Sequence, residues 1–241
     1  MPLGYSRTGV HSCSDTIPVW GPDGQRIAFA SNRTGTYGIY LGSTQQPGAE
    51  SPLFKTPYST IVQDWSSDGR FMLFYQTNPK TGRDLWSLDL WSAEHNAQPV
   101  SLTPAEESLG KFSPDGRWVA YQTNASGRFE IVVKSFHGGS VEGGTWQVSR
   151  EGGVQPRWSR DGREIYFIAP DGSLFASAVS PQGETLNVRT PERLFSTRIN
   201  GGGGMGSNAS EYAVSRDGRF LIDEIVEENS MPITVVVNPK F

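Results

Sequence analysis

The sequence predicts an all-β fold, a β-propeller of four-stranded antiparallel blades, on three observations. First, one phrase ending in Asp-Gly occurs five times: Val19-Trp-Gly-Pro-Asp-Gly24, Asp64-Trp-Ser-Ser-Asp-Gly69, Lys111-Phe-Ser-Pro-Asp-Gly116, Arg157-Trp-Ser-Arg-Asp-Gly162 and Ala213-Val-Ser-Arg-Asp-Gly218. Its aspartates, Asp23, Asp68, Asp115, Asp161 and Asp217, stand 45, 47, 46 and 56 residues apart, and a period of that size marks a repeat architecture. Second, β-forming runs follow each phrase in the same order. Third, helical periodicity is weak throughout, with Ala105–Leu109 the one stretch that reads as a helical turn.

Each element of the repeat has a physical reason. Asp-Gly is a turn signal, because Gly tolerates positive φ and the Asp carboxylate can accept from the turn backbone. The five aspartates are therefore read as turn-stabilising. Three positions before each stands an apolar residue, Trp20, Trp65, Phe112, Trp158 or Val214. After each turn comes a near-continuous apolar run: Arg26–Ala30, Arg70–Tyr75, Arg117–Tyr121, Glu164–Ile168 and Arg219–Ile222. Such runs suit strands covered on both faces, as in a sheet stacked between two similar sheets. A third run follows a polar break, at Tyr37–Leu41, Leu85–Leu90, Phe129–Val133, Ser173–Val179 and Ile233–Val237. A shorter fourth closes most units, at Pro52–Thr56, Val100–Thr103, Trp146–Ser149 and Arg193–Ser196. Four short strands per period make a propeller blade. One blade cannot bury both of its faces, so neighbours must stack about an axis.

The expected organisation is one propeller domain over 1–241, with blades at about 18–57, 63–104, 110–150, 156–199 and 211–238. The long fourth interval is read as a loop insertion in the Gly-rich segment Asn200–Ser210. Residues 1–10 offer a closing strand, Leu3–Ser6, for a five-bladed ring. The alternative is part of a six-bladed ring whose remaining blade lies upstream in a longer protein.

Composition narrows the function classes. The formal net charge is −4 with no basic run, which argues against a general nucleic-acid binder. The single cysteine, Cys13, permits no internal disulfide and no cysteine metal cluster. No apolar stretch approaches the length of a membrane span, and Ile17-Pro-Val-Trp20 is too short for a signal-peptide core.

Motifs for chemistry are sparse. Gly201–Gly206 fits G-x-G-x-x-G but opens no helix, so it reads as a loop. No G-x-S-x-G is present, and His137-Gly138-Gly139 has no serine nucleophile to serve. His11, His95 and His137 fall in three separate loops, and Glu106-Glu107 and Glu227-Glu228 read as solvated charge in connections. Asn32, Asn78 and Asn124, nine or ten residues after a repeat Asp, read as turn caps. Neither a metal site nor a cofactor is expected.

What remains is a binding surface. The position four before each repeat Asp should lie near the axis, and it holds Val19, Asp64, Lys111, Arg157 and Ala213. One acid beside two bases could pair internally or face a ligand. The loops between second and third strands add Lys80 and the arginines Arg33, Arg83 and Arg128, expected on the same face.

The phrase, best seen in Phe112-Ser-Pro-Asp-Gly-Arg-Trp-Val-Ala-Tyr121, resembles the TolB-type, WD-like propeller repeat, and the resemblance covers about residues 10–238. Such repeats occur in periplasmic TolB, as propeller domains of tricorn-type and prolyl-oligopeptidase-type peptidases, and behind the kinase domain of bacterial transmembrane Ser/Thr kinases. Glu130–Phe136, Gln155–Trp158 and Pro232–Asn238 are most similar to the last group. The resemblance implies a non-catalytic sensor or docking domain for a protein, peptide or small ligand, on the extracytoplasmic side in such receptors. The kinase motifs themselves, Val-Ala-Ile-Lys, His-Arg-Asp and Asp-Phe-Gly, are absent from the sequence. The alternatives are a peptidase propeller without its hydrolase domain and a free periplasmic scaffold; a cytoplasmic location is the alternative compartment.

Overall fold

The computed structural model describes residues 13–199, 210–215, 217–223 and 235–236. These residues form an all-β propeller of five antiparallel sheets, with no helix among them. Blade 1 comprises β1 (Asp15–Trp20), β2 (Arg26–Ser31), β3 (Gly38–Ser43) and β4 (Gln46–Phe54). Blade 2 comprises β5 (Thr60–Trp65), β6 (Phe71–Asn78), β7 (Gly82–Asp89) and β8 (Ala97–Ser101). Blade 3 comprises β9 (Glu107–Phe112), β10 (Trp118–Thr123), β11 (Glu130–His137) and β12 (Ser140–Gln147). Blade 4 comprises β13 (Val154–Trp158), β14 (Glu164–Ile168), β15 (Ser173–Gln182), β16 (Thr185–Val188) and β17 (Glu192–Ser196). In blade 5 the described strands are β18 (Tyr212–Val214), β19 (Phe220–Ile222) and β20 (Val235–Val236).

The repeated phrase makes the same turn five times. The glycine N–H donates to the backbone carbonyl three residues earlier, as in Gly69 to Ser66 (2.9 Å) and Gly116 to Ser113 (2.9 Å). All five turn glycines have positive φ, from 67° to 80°. In blades 2–5 the phrase serine donates to the aspartate: Ser66 to Asp68, Ser113 to Asp115, Ser159 to Asp161 and Ser215 to Asp217, at 2.5–2.7 Å. The same hydroxyl accepts from the strand beyond, as from Phe71 N (2.8 Å) and Trp118 N (3.0 Å). Blade 1 has Gly21 in the serine's place, because a Cβ there would come within 3.2 Å of the Trp65 ring. Asp23 takes over by accepting from the N–H groups of Gln25 and Arg26. Those donors, the Gln25 N–H foremost, with the Arg26 guanidinium, hold the Asp23 carboxyl down at about 2.

Blades stack through apolar faces. Trp65, Met72 and Phe74 of blade 2 pack on Ala28 and Ile39 of blade 1. Phe112, Val119 and Tyr121 of blade 3 pack on Leu73 and Leu85 of blade 2. Blade 4 meets blade 3 through Ile165 and Phe167, and blade 5 meets blade 4 through Tyr212 and Phe220. Each fully buried large side chain contributes roughly 1.5–3 kcal/mol. In each case the phrase's apolar residue faces the preceding blade. Trp20 occupies that position in blade 1 and is 59% exposed, against 7% for Trp65. On the trailing side of blade 5, Leu221 is 51% exposed.

Several expectations need correction. Ala105–Leu109 is not a helical turn; β9 begins at Glu107, which is buried rather than solvated. Burial raises the Glu107 carboxyl above its ordinary range, although Thr103 donates to it. The outer edge of blade 4 is split into β16 and β17, both paired with β15, which takes up part of the fourth interval's surplus. The expected closing strand at 1–10, the loop Gly201–Gly206, His11 and Glu227-Glu228 lie outside the described residues.

Candidate functional site at the propeller axis

The inner strands of blades 1–4 carry β-bulges at the same place, between Thr16 and Val19, Val62 and Asp64, Ser108 and Lys111, and Val154 and Arg157. At Ile17, Leu109 and Gln155 the bulge takes positive φ, 52°, 54° and 59°. A bulge bends its strand and re-aims the side chains that follow. The residues that follow are Val19, Asp64, Lys111 and Arg157. Gly110 fits one of these bends because a Cβ there would meet Leu85 Cδ1 at 2.9 Å.

Polar rungs join successive blades near the axis. Gln63 Oε1 accepts from Leu109 N (2.7 Å) and Asp64 Oδ2 from Phe112 N (2.9 Å), linking blades 2 and 3. Gln122 Oε1 accepts from Gln155 N (3.1 Å), and Gln155 Oε1 from Glu211 N (2.8 Å). These bonds give backbone N–H groups on or beside the inner strands a partner from the neighbouring blade.

The structure brings Asp64, Lys111 and Arg157 together at the axis. The Lys111 ammonium is 3.5 Å from Asp64 Oδ1 and donates to the Gln63 carbonyl. Burial pulls Lys111 down to about 8; Asp64 opposes this, and Arg157 adds to it. Among the described residues the Arg157 guanidinium makes no ion pair, and its Nε, shielded from solvent, has no hydrogen-bond partner. All three side chains line two adjoining cavities. One, of about 310 Å³, opens toward the turns and is walled by Trp65, Phe112 and Trp158. The other, of about 390 Å³, is lined by Ile17, Val19 and Leu109. Ala213 lines the first and Val19 the second.

The remaining basic candidates do not join this group. Arg33 is held by Asp15 (3.1 Å) and Glu50 (3.5 Å), and its guanidinium lies over the Tyr40 ring. Arg83 is 4.0 Å from Glu106 and covers Tyr75. Arg128 is 2.6 Å from Glu130 and also donates to the Arg150 carbonyl. They also lie at the wrong end. Thr77 pairs with Arg83, and the Thr77 N–H donates to the Ser59 carbonyl, just before β5 begins. Asp64 stands near the end of β5, beside the turn. The expected shared face is therefore divided into two rims. Of the asparagines read as turn caps, Asn78 is one, its Oδ1 accepting from Lys80 N (2.9 Å); the side chains of Asn32 and Asn124 instead reach the chain 18 residues back, their Oδ1 atoms accepting from Ser14 N (2.7 Å) and Glu106 N (2.8 Å). His137 Nε2 is 3.1 Å from Glu184. Among the described residues no group of three or more His, Cys, Asp or Glu could hold a metal ion, and no helix is long and apolar enough to cross a membrane.

The arrangement of blades is similar to known folds. TolB from Acinetobacter baumannii superposes with a TM-score of 0.62 at 20% identity, over 90% of this chain and 50% of that one. The fold is that of a TolB-like propeller. A puromycin-hydrolyzing peptidase of Mycobacterium tuberculosis contains a similar arrangement, with a TM-score of 0.58 at 16% identity over 90% of this chain and 35% of the peptidase. An uncharacterized protein of Agrobacterium fabrum is 27% identical over 157 residues, 64% of this chain and 50% of its own length. The chain thus spans half the length of that relative and of the A. baumannii TolB. No family model matches the sequence. At these identities the structural likeness extends to fold, and the site has to be argued from its own residues.

The axial bulges were the feature that sequence reading missed. The signal was faint: Gly110 in blade 3 and Pro18 and Pro156 in blades 1 and 4 interrupt strands one residue before the axial position.

Proposed function

We propose that this chain is a non-catalytic binding module of a larger protein, which takes a peptide or small ligand at the turn-side mouth of its axial channel. The observation that supports this most directly is the convergence of Asp64, Lys111 and Arg157, from three blades, on two cavities that their side chains share. These positions differ from blade to blade where the turn phrase repeats, which fits a role in recognition. The reading assigns the chain no reaction and no cofactor. By its resemblance to the propellers of receptor-type Ser/Thr kinases, its place is extracytoplasmic, with its ligand signalling to a domain carried elsewhere in the same protein.

The test is a plug. Ala213 is exposed and lines the turn-side cavity, so Ala213→Trp should fill the mouth without touching the charges. Ligands found for the wild-type protein in a metabolite and peptide panel should lose binding in the plugged variant, with the thermal melt preserved. Binding that survives the plug, or substrate turnover by the purified chain that a point change abolishes, would remove this reading.

A further inference from the structure

Among the described residues, eight arginines lie within 4.0 Å of an acid. Arg26 reaches Asp23 (2.6 Å), Arg70 reaches Asp89 (2.8 Å) and Arg128 reaches Glu130 (2.6 Å). Arg157 departs from that pattern: half-buried between the two cavities, it makes no ion pair among the described residues and its shielded Nε has no hydrogen-bond partner. A buried guanidinium N–H without an acceptor costs stability, and charged donors cost the most. A ligand that supplies the acceptor recovers that cost on binding. The one acid in the two linings, Asp64, is already engaged by Phe112 N and Lys111. Glu211, entering from blade 5, accepts from Gln155 Nε2 (2.8 Å).

We propose that the axial site is a carboxylate receptor, in which Arg157 takes the carboxylate group of a ligand and Lys111 supports it as a second positive charge. The proposal rests on the reading that the channel mouth is the binding site, and it adds the chemical class. Three arguments select a carboxylate. The guanidinium fork matches its planar pair of oxygens. The charged residues lining the cavities are Lys111, Arg157 and, on the turn side, Arg160, against Asp64 alone. Arg160 is exposed at the rim, so at the axis itself Lys111 and Arg157 against Asp64 leave one positive charge, which a monoanion answers, whereas a dianionic phosphate would bring a second negative charge up to Asp64. Both linings mix polar groups, Ser159 and Gln63 among them, with apolar or aromatic ones: Trp65, Phe112 and Trp158 above and Ile17, Val19 and Leu109 below. The apolar and aromatic side chains suit the hydrocarbon that adjoins a carboxylate, whether at a peptide C-terminus or in a small organic acid.

The experiment titrates three probes against the wild-type chain and its Arg157→Gln, Arg157→Lys and Ala213→Trp variants, following tryptophan fluorescence and amide chemical shifts. The probes are N-acetyl-Gly-Leu-Phe with a free C-terminal carboxylate, the same peptide as its C-terminal amide, and hexanoate. The free acid should bind at least about 10-fold more tightly than the amide, the loss expected for one charge-assisted contact. Arg157→Gln should erase that difference, and Arg157→Lys should restore part of it. Tight binding of the peptide acid with little of hexanoate identifies a peptide terminus as the source, and comparable binding of both identifies a small acid. Equal binding of acid and amide, both blocked by Ala213→Trp, overturns the carboxylate assignment and leaves the channel reading intact. Acid binding that persists in Ala213→Trp overturns both. Failure of both carboxylates to bind overturns the carboxylate assignment, and the channel reading then rests on the panel and plug alone. Thermal melts of each variant exclude unfolding as the cause.

Discussion

Two rims of the same strands follow opposite rules. At the turn, Asp23, Asp68, Asp115, Asp161 and Asp217 repeat without exception, and each turn closes with the same backbone bond. At the axis, four residues before each of those aspartates, the side chains are Val19, Asp64, Lys111, Arg157 and Ala213. The turn solves a problem that every blade shares, reversal of the chain with its polar groups satisfied. The axis is the place where five blades meet and where no two need be alike. Repetition in this protein therefore marks construction, and departure from it marks the surface available for recognition. Substitutions at the two rims should separate stability from binding.

The largest effect is expected where the repeat meets the core. Trp65→Ala removes a ring that is 7% exposed and packs against blade 1. It should cost about 3–5 kcal/mol, as large aromatic deletions in cores do, read as a lowered denaturant midpoint with the denaturant slope unchanged. A cost below about 1 kcal/mol would mean that the blade 1–2 interface is not close-packed in solution.

The next effect is at the axis, and its sign separates two views of Lys111. The group titrates at about 8 in the fold against 10.5 ordinarily. Between those values the unfolded chain binds more protons, so this lysine makes stability rise with pH across that window. Asp64, Arg157 and the Gln63 carbonyl are the groups that face it. Relative to Lys111→Met, the wild-type protein should gain about 1–2 kcal/mol between pH 7.5 and 9.5, given that one pKa unit is about 1.4 kcal/mol. Lys134 is common to both proteins and cancels in the comparison. A loss instead of a gain would show that the Asp64–Lys111 pair dominates over desolvation.

A smaller effect tests the separation of the rims directly. Asp115→Ala removes the acceptor for the Ser113 hydroxyl (2.6 Å) and the Arg117 N–H (3.1 Å). It should cost about 0.5–1.5 kcal/mol, toward the lower end because the carboxylate is half solvated. Ligand affinity should be unchanged. Arg157→Gln should do the reverse, removing the preference for a free carboxylate without lowering stability, because the guanidinium N–H it removes has no partner in the fold. Coupled losses in both variants would end the distinction between turn and axis.

The same division decided what could be read from the sequence. The turn and the strand order were legible because five copies reinforce one another, and Asp-Gly has a local reason to reverse the chain. The axial trio was legible as positions, since a residue four before the turn falls on the innermost strand. Their partners were not. The rungs from Gln63 to Leu109 and from Gln122 to Gln155 join residues 46 and 33 apart, and no local pattern records them. The burial of Glu107 escaped for a related reason, because what surrounds it comes from other strands, with Asp84 and Lys134 the charges acting on it. Placing Arg33, Arg83 and Arg128 beside the axial trio failed on strand direction: loops after the second strand return to the end where the first one started.

The smallest expected effect is also the sharpest exception to the rule of repetition. Trp20 stands where Trp65, Phe112 and Trp158 stand, yet 59% of it meets solvent. Its neighbours on that face, Ile27 and Phe29, are half-buried, and Arg33 covers part of Phe29. In blades 2–4 the equivalent residues lie beneath the blade before. Trp20→Ala should therefore cost less than about 0.5 kcal/mol, the range of surface substitutions, while Trp65→Ala costs several. If the two variants lose stability alike, the leading face of blade 1 is covered in solution. The cover would have to come from residues beyond those described or from a second molecule. Sedimentation of the wild-type and Trp20→Ala proteins at matched concentrations separates the two, because only a second molecule makes the loss depend on concentration.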